Sequence, residues 1–495
     1  MTLADETTGK PGALQDPGAG GRIFGGAYRV TTTGIIVVIT LVAFEGMAVA
    51  TALPSAARGV HGVSGYGWLF TGFLVANMVG MVAGGGLADR HGPRVPLVAG
   101  LVGFCAGLVL AGAATDLEVL VLGRVVQGVS GGMMITALYV VIGSGYPQSL
   151  QPRMMAAISS AWVVPSLVGP VVSGTVTETV GWRWVFWGIA PFVAAGGLLL
   201  TPTLRPLSGG GNPDAPPVRG RLGLALVVAV GVALFQEAGH VAVGLAAPFA
   251  LAGLVVVAAA LVGLLPPGWW RLAPGVSGPV VLRGVLAGSF FGLDALVPLM
   301  LQTQHGFGPL AAGVPLSCGA VTWALGSWIQ GRDRWTVRQR VRLMQLGLVL
   351  IAVGAVGLAA VAHPGVWPWL AAVAQTVAGL GVGLGMTAVS VLLLRFTTDA
   401  DRGRDSASLQ LNDAVGSALA TGLGGILVAL AAGDVLGYTT AFTVVDLVMG
   451  AAALLGVLAA TRLRAAPATV PPGAPATVPA GVPSPPPAAP PGSVS

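Results

Sequence analysis

Thr31-Thr-Thr-Gly-Ile-Ile-Val-Val-Ile-Thr-Leu-Val-Ala-Phe-Glu45-Gly-Met-Ala-Val-Ala-Thr-Ala-Leu-Pro54 carries one charge in twenty-four residues. As a helix rising 1.5 Å per residue it reaches about 36 Å, enough to cross a hydrocarbon core of about 30 Å. The rest of the chain repeats this pattern. Its 495 residues are 54% hydrophobic and only 8% charged, with a mean hydropathy of +0.84. A soluble domain carries roughly 25% charged residues, and twenty-four bases with eighteen acids cannot cover a water-exposed globule of this size. Seventy-seven glycines without a Gly-X-Y period exclude collagen. The composition specifies an all-α, polytopic membrane protein.

Cutting the chain at polar, Pro and Gly clusters places further spans near 66–87, 95–114, 118–142, 154–177 and 184–202. The apolar run 222–264 is too long for one helix and is interrupted by Gln236-Glu237-Ala238-Gly239-His240, so it reads as two. Six more follow near 280–302, 308–330, 341–361, 367–394, 406–430 and 437–461, giving fourteen. The expected division is a segment 1–30, a six-helix bundle 31–202, a linker 203–221, two inserted helices 222–264, a loop 265–279, a second bundle 280–461 and a Pro/Ala-rich tail 462–495. No cleavable signal sequence is expected, because residues 1–30 are polar and Gly-rich.

Basic residues test the cut. With both termini in the cytoplasm, twenty-one of the twenty-four fall in inner loops and tails, only Arg58 and Arg183 fall outside, and Arg124 alone lies within a span. The positive-inside rule supports this orientation. A net charge of +6 therefore follows the membrane, and the bases are not clustered as a nucleic-acid partner would need. Twenty-three of them are Arg, and with abundant Ala, Gly and Val this points to a GC-rich, bacterial genome. Cys105 and Cys318 sit in apolar runs and give no disulfide framework. His61, His240, His305 and His363 fall in outer loops without metal-site spacing, and Lys10, the single lysine, precedes Pro11 rather than closing a phosphate loop. No metal and no cofactor are expected.

The chain repeats itself. Arg153-Met-Met-Ala-Ala-Ile-Ser-Ser and Arg404-Asp-Ser-Ala-Ser-Leu-Gln-Leu open corresponding helices; at that offset Ser166 aligns with Ser417 and Gly174 with Gly425. The second and third helices are joined by Gly85-Gly86-Leu87-Ala88-Asp89-Arg90-His91-Gly92-Pro93-Arg94. Glycines there permit close approach of helix ends, and Asp89 with Arg90 or Arg94 can form a contact that breaks when the halves move. A solvated turn would carry the same residues.

This stretch resembles the loop motif of the major facilitator superfamily. Three others resemble its fourteen-helix drug:proton antiporters: Glu45 to Pro54 in helix one, with Glu where Asp is usual; Arg124-Val-Val-Gln127-Gly128-Val-Ser-Gly131-Gly132 in helix four; and Gly169-Pro170-Val-Val-Ser173-Gly174 in helix five. Gly181 to Pro191 is similar to the outer segment before helix six in these exporters. The resemblance spans about residues 30–462. It implies two parallel six-helix bundles with two inserted helices and alternating access about a midplane site. Two upstream family glycines are replaced by Ala156 and Pro165, which bears on the bend of helix five. The second-half counterpart of helix four, around Ala374-Gln375 and Gly379 to Gly385, carries no Arg.

Glu45 and Arg124 are the strongest candidates for proton coupling, because a charge inside a span is costly unless paired or hydrated. The competing reading is a structural ion pair between helices one and four. Gln127, one turn beyond Arg124, supplies a polar contact on the same face. Asp294, after Phe290 and Phe291 in helix nine, is placed in the second half much as Glu45 is in the first. An acid beside two aromatics suits a cationic ligand, whereas an Asp bonded to a neighbouring helix is the plain alternative. Asp294 thus joins Glu45 and Arg124 as a proton-coupling candidate, and Gln127, Phe290, Phe291, Trp162 and Asp413 form the expected substrate pathway, with Phe104, Met133 and Met134 as weaker lining candidates and Asp446 as a further buried acid. The resemblance implies a monomeric, multi-pass protein of the bacterial inner membrane, with no enzymatic activity. It would export small hydrophobic or cationic compounds on the proton gradient. An uptake or metabolite carrier on the same fold, and more remotely a membrane-embedded enzyme or receptor, are the alternatives.

Overall fold

The computed structural model describes residues 23–26, 28–147, 150–200, 219–273, 275–332, 335–397 and 402–465. The expected linker up to residue 218, most of the N-terminal segment and the tail beyond 465 lie outside the described residues.

The helices are α1 Arg29–Gly59, α2 Tyr66–His91, α3 Arg94–Gly112, α4 Leu117–Gly145, α5 Gln151–Ala161, α6 Val163–Thr179 and α7 Arg183–Leu200. Then come α8 Arg219–Glu237, α9 Val243–Leu264, α10 Ser277–Gln304, α11 Pro309–Gln330, α12 Val337–Val361, α13 Leu370–Phe396, α14 Arg402–Ala432 and α15 Tyr438–Thr461. Among the described residues, thirteen uninterrupted helices are long and apolar enough to cross a membrane. The pair α5–α6 supplies the fourteenth span. One face of the bundle therefore carries both the start of α1 and the end of α15, together with most arginines; it is called the basic face below.

Two sequence expectations about helix ends are corrected. Helix five is broken at Trp162 rather than continuous. Pro165 sits in the first turn of α6 and has no N–H to give the Ala161 carbonyl, so the ladder is interrupted there. The segment 85–94 is not a loop: α2 runs through Asp89 and Arg90 to His91, and only Gly92 and Pro93 turn the chain. Gly92 has φ +77°, which suits Gly, and its N–H closes the helix on the Ala88 carbonyl. Elsewhere boundaries follow local chemistry. Asp116 caps α4 by accepting from the Val119 N–H at 2.9 Å, which holds its carboxyl below the usual range. Thr336 and Gln339 form a capping box at α12.

Large apolar residues such as Leu198, Leu251, Val262 and Leu455 are exposed, as expected of a lipid-facing surface. Packing inside each half depends on small residues. At the α2–α4 crossing, a Cβ on Gly132 would lie 2.1 Å from the Asn77 carbonyl oxygen, and one on Gly80 2.0 Å from that of Val129. Gly132→Val should therefore cost at least about 3 kcal/mol, the upper range of overpacking. Size-exclusion and thermal unfolding of the detergent-solubilised variant should show loss of the monodisperse, folded species.

The halves meet through two equivalent contacts, α6 on α11 and α14 on α2. Gly174 approaches Leu310 Cα at the start of α11, and Gly425 approaches Gly67 Cα at the start of α2. This is the pairing that the internal repeat predicts. Hydrogen bonds between halves, among the described residues, lie away from the basic face. Tyr66 Oη donates to the Ala295 carbonyl at 3.0 Å, the Leu310 N–H donates to Glu178 at 2.9 Å, and Arg58 donates to Gln302. Ser317 to the Leu167 carbonyl and Thr71 to Thr421 add two more. The molecule is thus sealed at the face opposite the basic one. The inserted hairpin α8–α9 covers the α2–α14 seam, where the fully buried Gln236 of α8 lies against Gly67, Gly422, Gly425 and Thr71.

Candidate functional site

Glu45 lies half way along α1, fully buried, and Arg124 of α4 is 4% exposed. Arg124 Nη1 donates to Glu45 Oε1 at 2.6 Å and to Gln127 Oε1 at 2.5 Å. Its Nε donates to the Leu69 carbonyl at 3.1 Å, and the guanidinium stands 4.3 Å from the Phe73 ring centroid. One guanidinium therefore joins α1, α2 and α4. Removing one partner from such a pair leaves an uncompensated buried charge and costs about 3–5 kcal/mol. Glu45 Oε2 and Gln127 Nε2 are buried with no partner. Oε2 is consequently an oxygen that can take a proton without displacing Arg124. The structure thus brings Glu45, Arg124 and Gln127 into one cluster.

The second half repeats the arrangement with different chemistry. Asp294 stands at mid-length of α10, half-buried, and Gln375 Nε2 of α13 donates to its Oδ1 at 3.1 Å. The repeat offset that pairs Arg153 with Arg404 also pairs Arg124 with Gln375, so an amide occupies the place of the guanidinium. Phe290 and Phe291 pack edge-on to each other and to Trp323 of α11, with centroids 5.5–5.8 Å apart. Phe290 is buried behind the half-buried Phe291 and Trp323.

Arg124 is not the sole base within a span. Arg283, counted among the inner-loop bases although it falls within the apolar run 280–302, lies inside α10. Its Nη2 stands 2.6 Å from Asp413 Oδ2 of α14 and its Nε donates to the same oxygen at 2.8 Å. Ser390 and the Met386 carbonyl of α13 accept from Nη1 at 3.4 Å each. Asp413, expected only as a lining residue, thus belongs to an ion pair nearer the basic face.

The remaining candidates are dispersed. Gly86 and Gly92 are buried, Arg94 opens α3, and Asp89 and Arg90 are exposed in the last turn of α2. Neither of the two ion pairs among the described residues involves Asp89. Gly169 meets Met47 of α1, while the Pro170 carbonyl lies against Gly313 of α11 and Gly174 against Leu310. Pro170 and Gly174 therefore lie at the interface between halves, while Gly169 packs α6 on α1 within the first half. Trp162, 38% exposed, marks the break between α5 and α6. Phe104 and Met134 are fully buried packing residues. Asp446 is 3% exposed with Oδ2 unpartnered. Trp323 and Gln375 were missed by sequence reading as site residues. The repeat offset from Arg124 was the available signal for Gln375; Trp323 had none, since its contact with Phe290 and Phe291 exists only between helices.

Similarity to known proteins agrees with this geometry. Residues 35–374 match the model of the Major Facilitator Superfamily. A Mycobacterium tuberculosis protein named probable multidrug-efflux transporter is 29% identical over 417 residues, covering 79% of this chain and 87% of that protein. The tetracenomycin C resistance and export protein of Streptomyces glaucescens is 27% identical over 330 residues, covering 63% and 60%. Among solved structures, a POT family transporter in complex with 5-aminolevulinic acid superposes with a TM-score of 0.66 at 14% identity, covering 87% of this chain and 96% of that one. The human organic anion transporter superposes at 0.59, also at 14% identity, covering 87% and 99%. Likeness at this identity bears on the fold alone. The repeated halves, the buried charges between helices and the family match lead to one conclusion: this chain is a multi-pass membrane transporter, not an enzyme, and belongs to the Major Facilitator Superfamily.

Proposed function

We propose that the protein is a proton-coupled exporter of small hydrophobic or cationic compounds, working as a monomer in the bacterial inner membrane with both termini and the basic face in the cytoplasm. The observation that carries the reading is the buried Glu45–Arg124 pair, with one carboxylate oxygen free to bind a proton. A charge is retained inside a span against a cost of several kcal/mol only for structure or function. The multidrug-efflux relatives support export over uptake.

In this reading the state sealed opposite the basic face is inward-facing. Substrate enters from the cytoplasm and reaches the space beside Phe291, Trp323 and Asp294. Substrate binding displaces the proton of Glu45 and the halves rock outward about α2–α14 and α6–α11; once substrate has left, a proton from outside binds Glu45 or Asp294 and favours the return to the inward-facing state. Each charge moved across 100 mV is worth about 2.3 kcal/mol, so one or two protons sustain a large substrate gradient. The test is transport in inside-out vesicles: a lipophilic cationic dye should accumulate when the interior is acidified and leave when a protonophore collapses the gradient. Dye uptake indifferent to the protonophore would contradict proton coupling.

Two further outcomes belong to the reading. Reporter fusions after Gly210 and after Ala466 should both report cytoplasm; an external signal at either removes the assigned orientation. At the last turn of α2, Asp89 supplies the charge that closes the inner gate in the outward-facing state. Asp89→Asn should slow turnover about tenfold, the effect of losing one state-specific contact worth about 1.4 kcal/mol, at unchanged expression.

A further inference from the structure

Each half sets a carboxylate beside an amide oxygen, though at positions the repeat does not align, and among the described residues only the first half has a cation bonded to both. In the first half the cation is part of the chain: Arg124 Nη1 gives N–H bonds to a carboxylate oxygen of Glu45 and to the amide oxygen of Gln127. In the second half the carboxylate of Asp294 and the amide of Gln375 stand together, but among the described residues no base faces them. The Gln375 amide nitrogen is committed to Asp294 Oδ1. Its oxygen is buried and has no donor, and Asp294 Oδ2 accepts no hydrogen bond from a described residue. Gln375 itself is fully buried, whereas Asp294, Phe291 and Trp323 border accessible space.

A carboxylate and an orphaned amide oxygen are both acceptors, and neither can be satisfied by a ligand without N–H or O–H groups. Phe291 and Trp323 present aromatic surface beside them, which suits both the apolar body of a ligand and a delocalised cation. A cation with at least two N–H donors satisfies both acceptors at once, as one guanidinium nitrogen does for Glu45 and Gln127 in the first half.

We propose that Asp294 and Gln375 form a recognition site for organic cations bearing two or more N–H donors on an aromatic body, namely primary ammonium, amidinium or guanidinium groups, and that Gln375 discriminates these from fully alkylated cations of equal charge. This rests on the reading of Asp294 as part of the substrate pathway and specifies its ligand. The expected preference is informative because it opposes desolvation, which favours the trimethylated cation over the more strongly hydrated primary ammonium.

The test uses the full-length protein in lipid nanodiscs and two probes, a naphthylalkyl primary ammonium and its N,N,N-trimethyl counterpart, with binding read by calorimetry. Wild-type protein should bind the primary ammonium roughly tenfold tighter, the equivalent of one hydrogen bond to a charged group. Gln375→Leu, or the near-isosteric Gln375→Met if the first does not fold, should bring the ratio of the two affinities near one. Asp294→Asn should weaken both probes by more than tenfold. A wild-type ratio of one or below, with Asp294→Asn still weakening both, overturns the Gln375 proposal and leaves the pathway reading intact. A ratio unchanged by either Gln375 variant also overturns it. Equal binding to wild-type and Asp294→Asn protein overturns the pathway reading and the proposal with it.

Discussion

Glu45→Gln should abolish proton-driven transport while leaving substrate binding and downhill exchange intact. Glutamine keeps the size of the side chain and an acceptor for Arg124 Nη1, so the link between α1 and α4 persists. It removes the one group there that can change charge. With nothing at position 45 to take up a proton, the return step cannot be tied to the gradient, and accumulation should fall at least a hundredfold, to the level set by passive exchange. The size of that loss follows from mechanism: coupling is carried by differential protonation of two states, and a group identical in both states shifts nothing. Glu45→Asp should keep partial function, because the carboxylate remains although it withdraws from Arg124. Dye accumulation in inside-out vesicles at matched expression is the readout. Wild-type rates in Glu45→Gln vesicles would make Glu45 structural.

Arg124→Met should be the most destabilising change at the site. It strips Glu45 of its only hydrogen-bonding partner among the described residues and opens a gap against Phe73 and Leu69. The expected cost is about 3–5 kcal/mol, the cost of an uncompensated buried charge, seen as poor yield and a lowered unfolding temperature in detergent. The double variant Glu45→Gln with Arg124→Met should recover most of that stability, since two neutral side chains replace the pair, but no coupled transport. A double variant no more stable than Arg124→Met would show that Arg124 matters through its bond to the Leu69 carbonyl rather than through Glu45.

The fold was largely legible in the sequence because a membrane leaves few choices. Runs such as 31–54 can only be spans, and the arginines then fix how they alternate. Buried charge was equally legible: Glu45 and Arg124 stand out because almost nothing else in their helices is polar, and the structure joins them. What escaped was information held between helices. Arg283 was counted with the inner-loop bases because it stands at the edge of its apolar run, and its partner Asp413 lies on α14. The break at Trp162 depends on Pro165 interrupting a ladder that composition still reads as one span. Gln236 appeared only as an interruption in an apolar run, yet it is buried against the seam between halves. Trp323 and Gln375 look ordinary in sequence and matter for the residues that other helices bring to them.

The central claim is that Glu45 exchanges a proton as substrate binds or leaves, and proton release tests it most directly. Purified protein in weakly buffered detergent solution, monitored with a soluble pH indicator, should release protons when a lipophilic cationic substrate is added at a pH where the acid is occupied. The account predicts a stoichiometric release from wild-type protein and none from Glu45→Gln, with substrate still bound in both. The same proton release from the Glu45→Gln protein would contradict it.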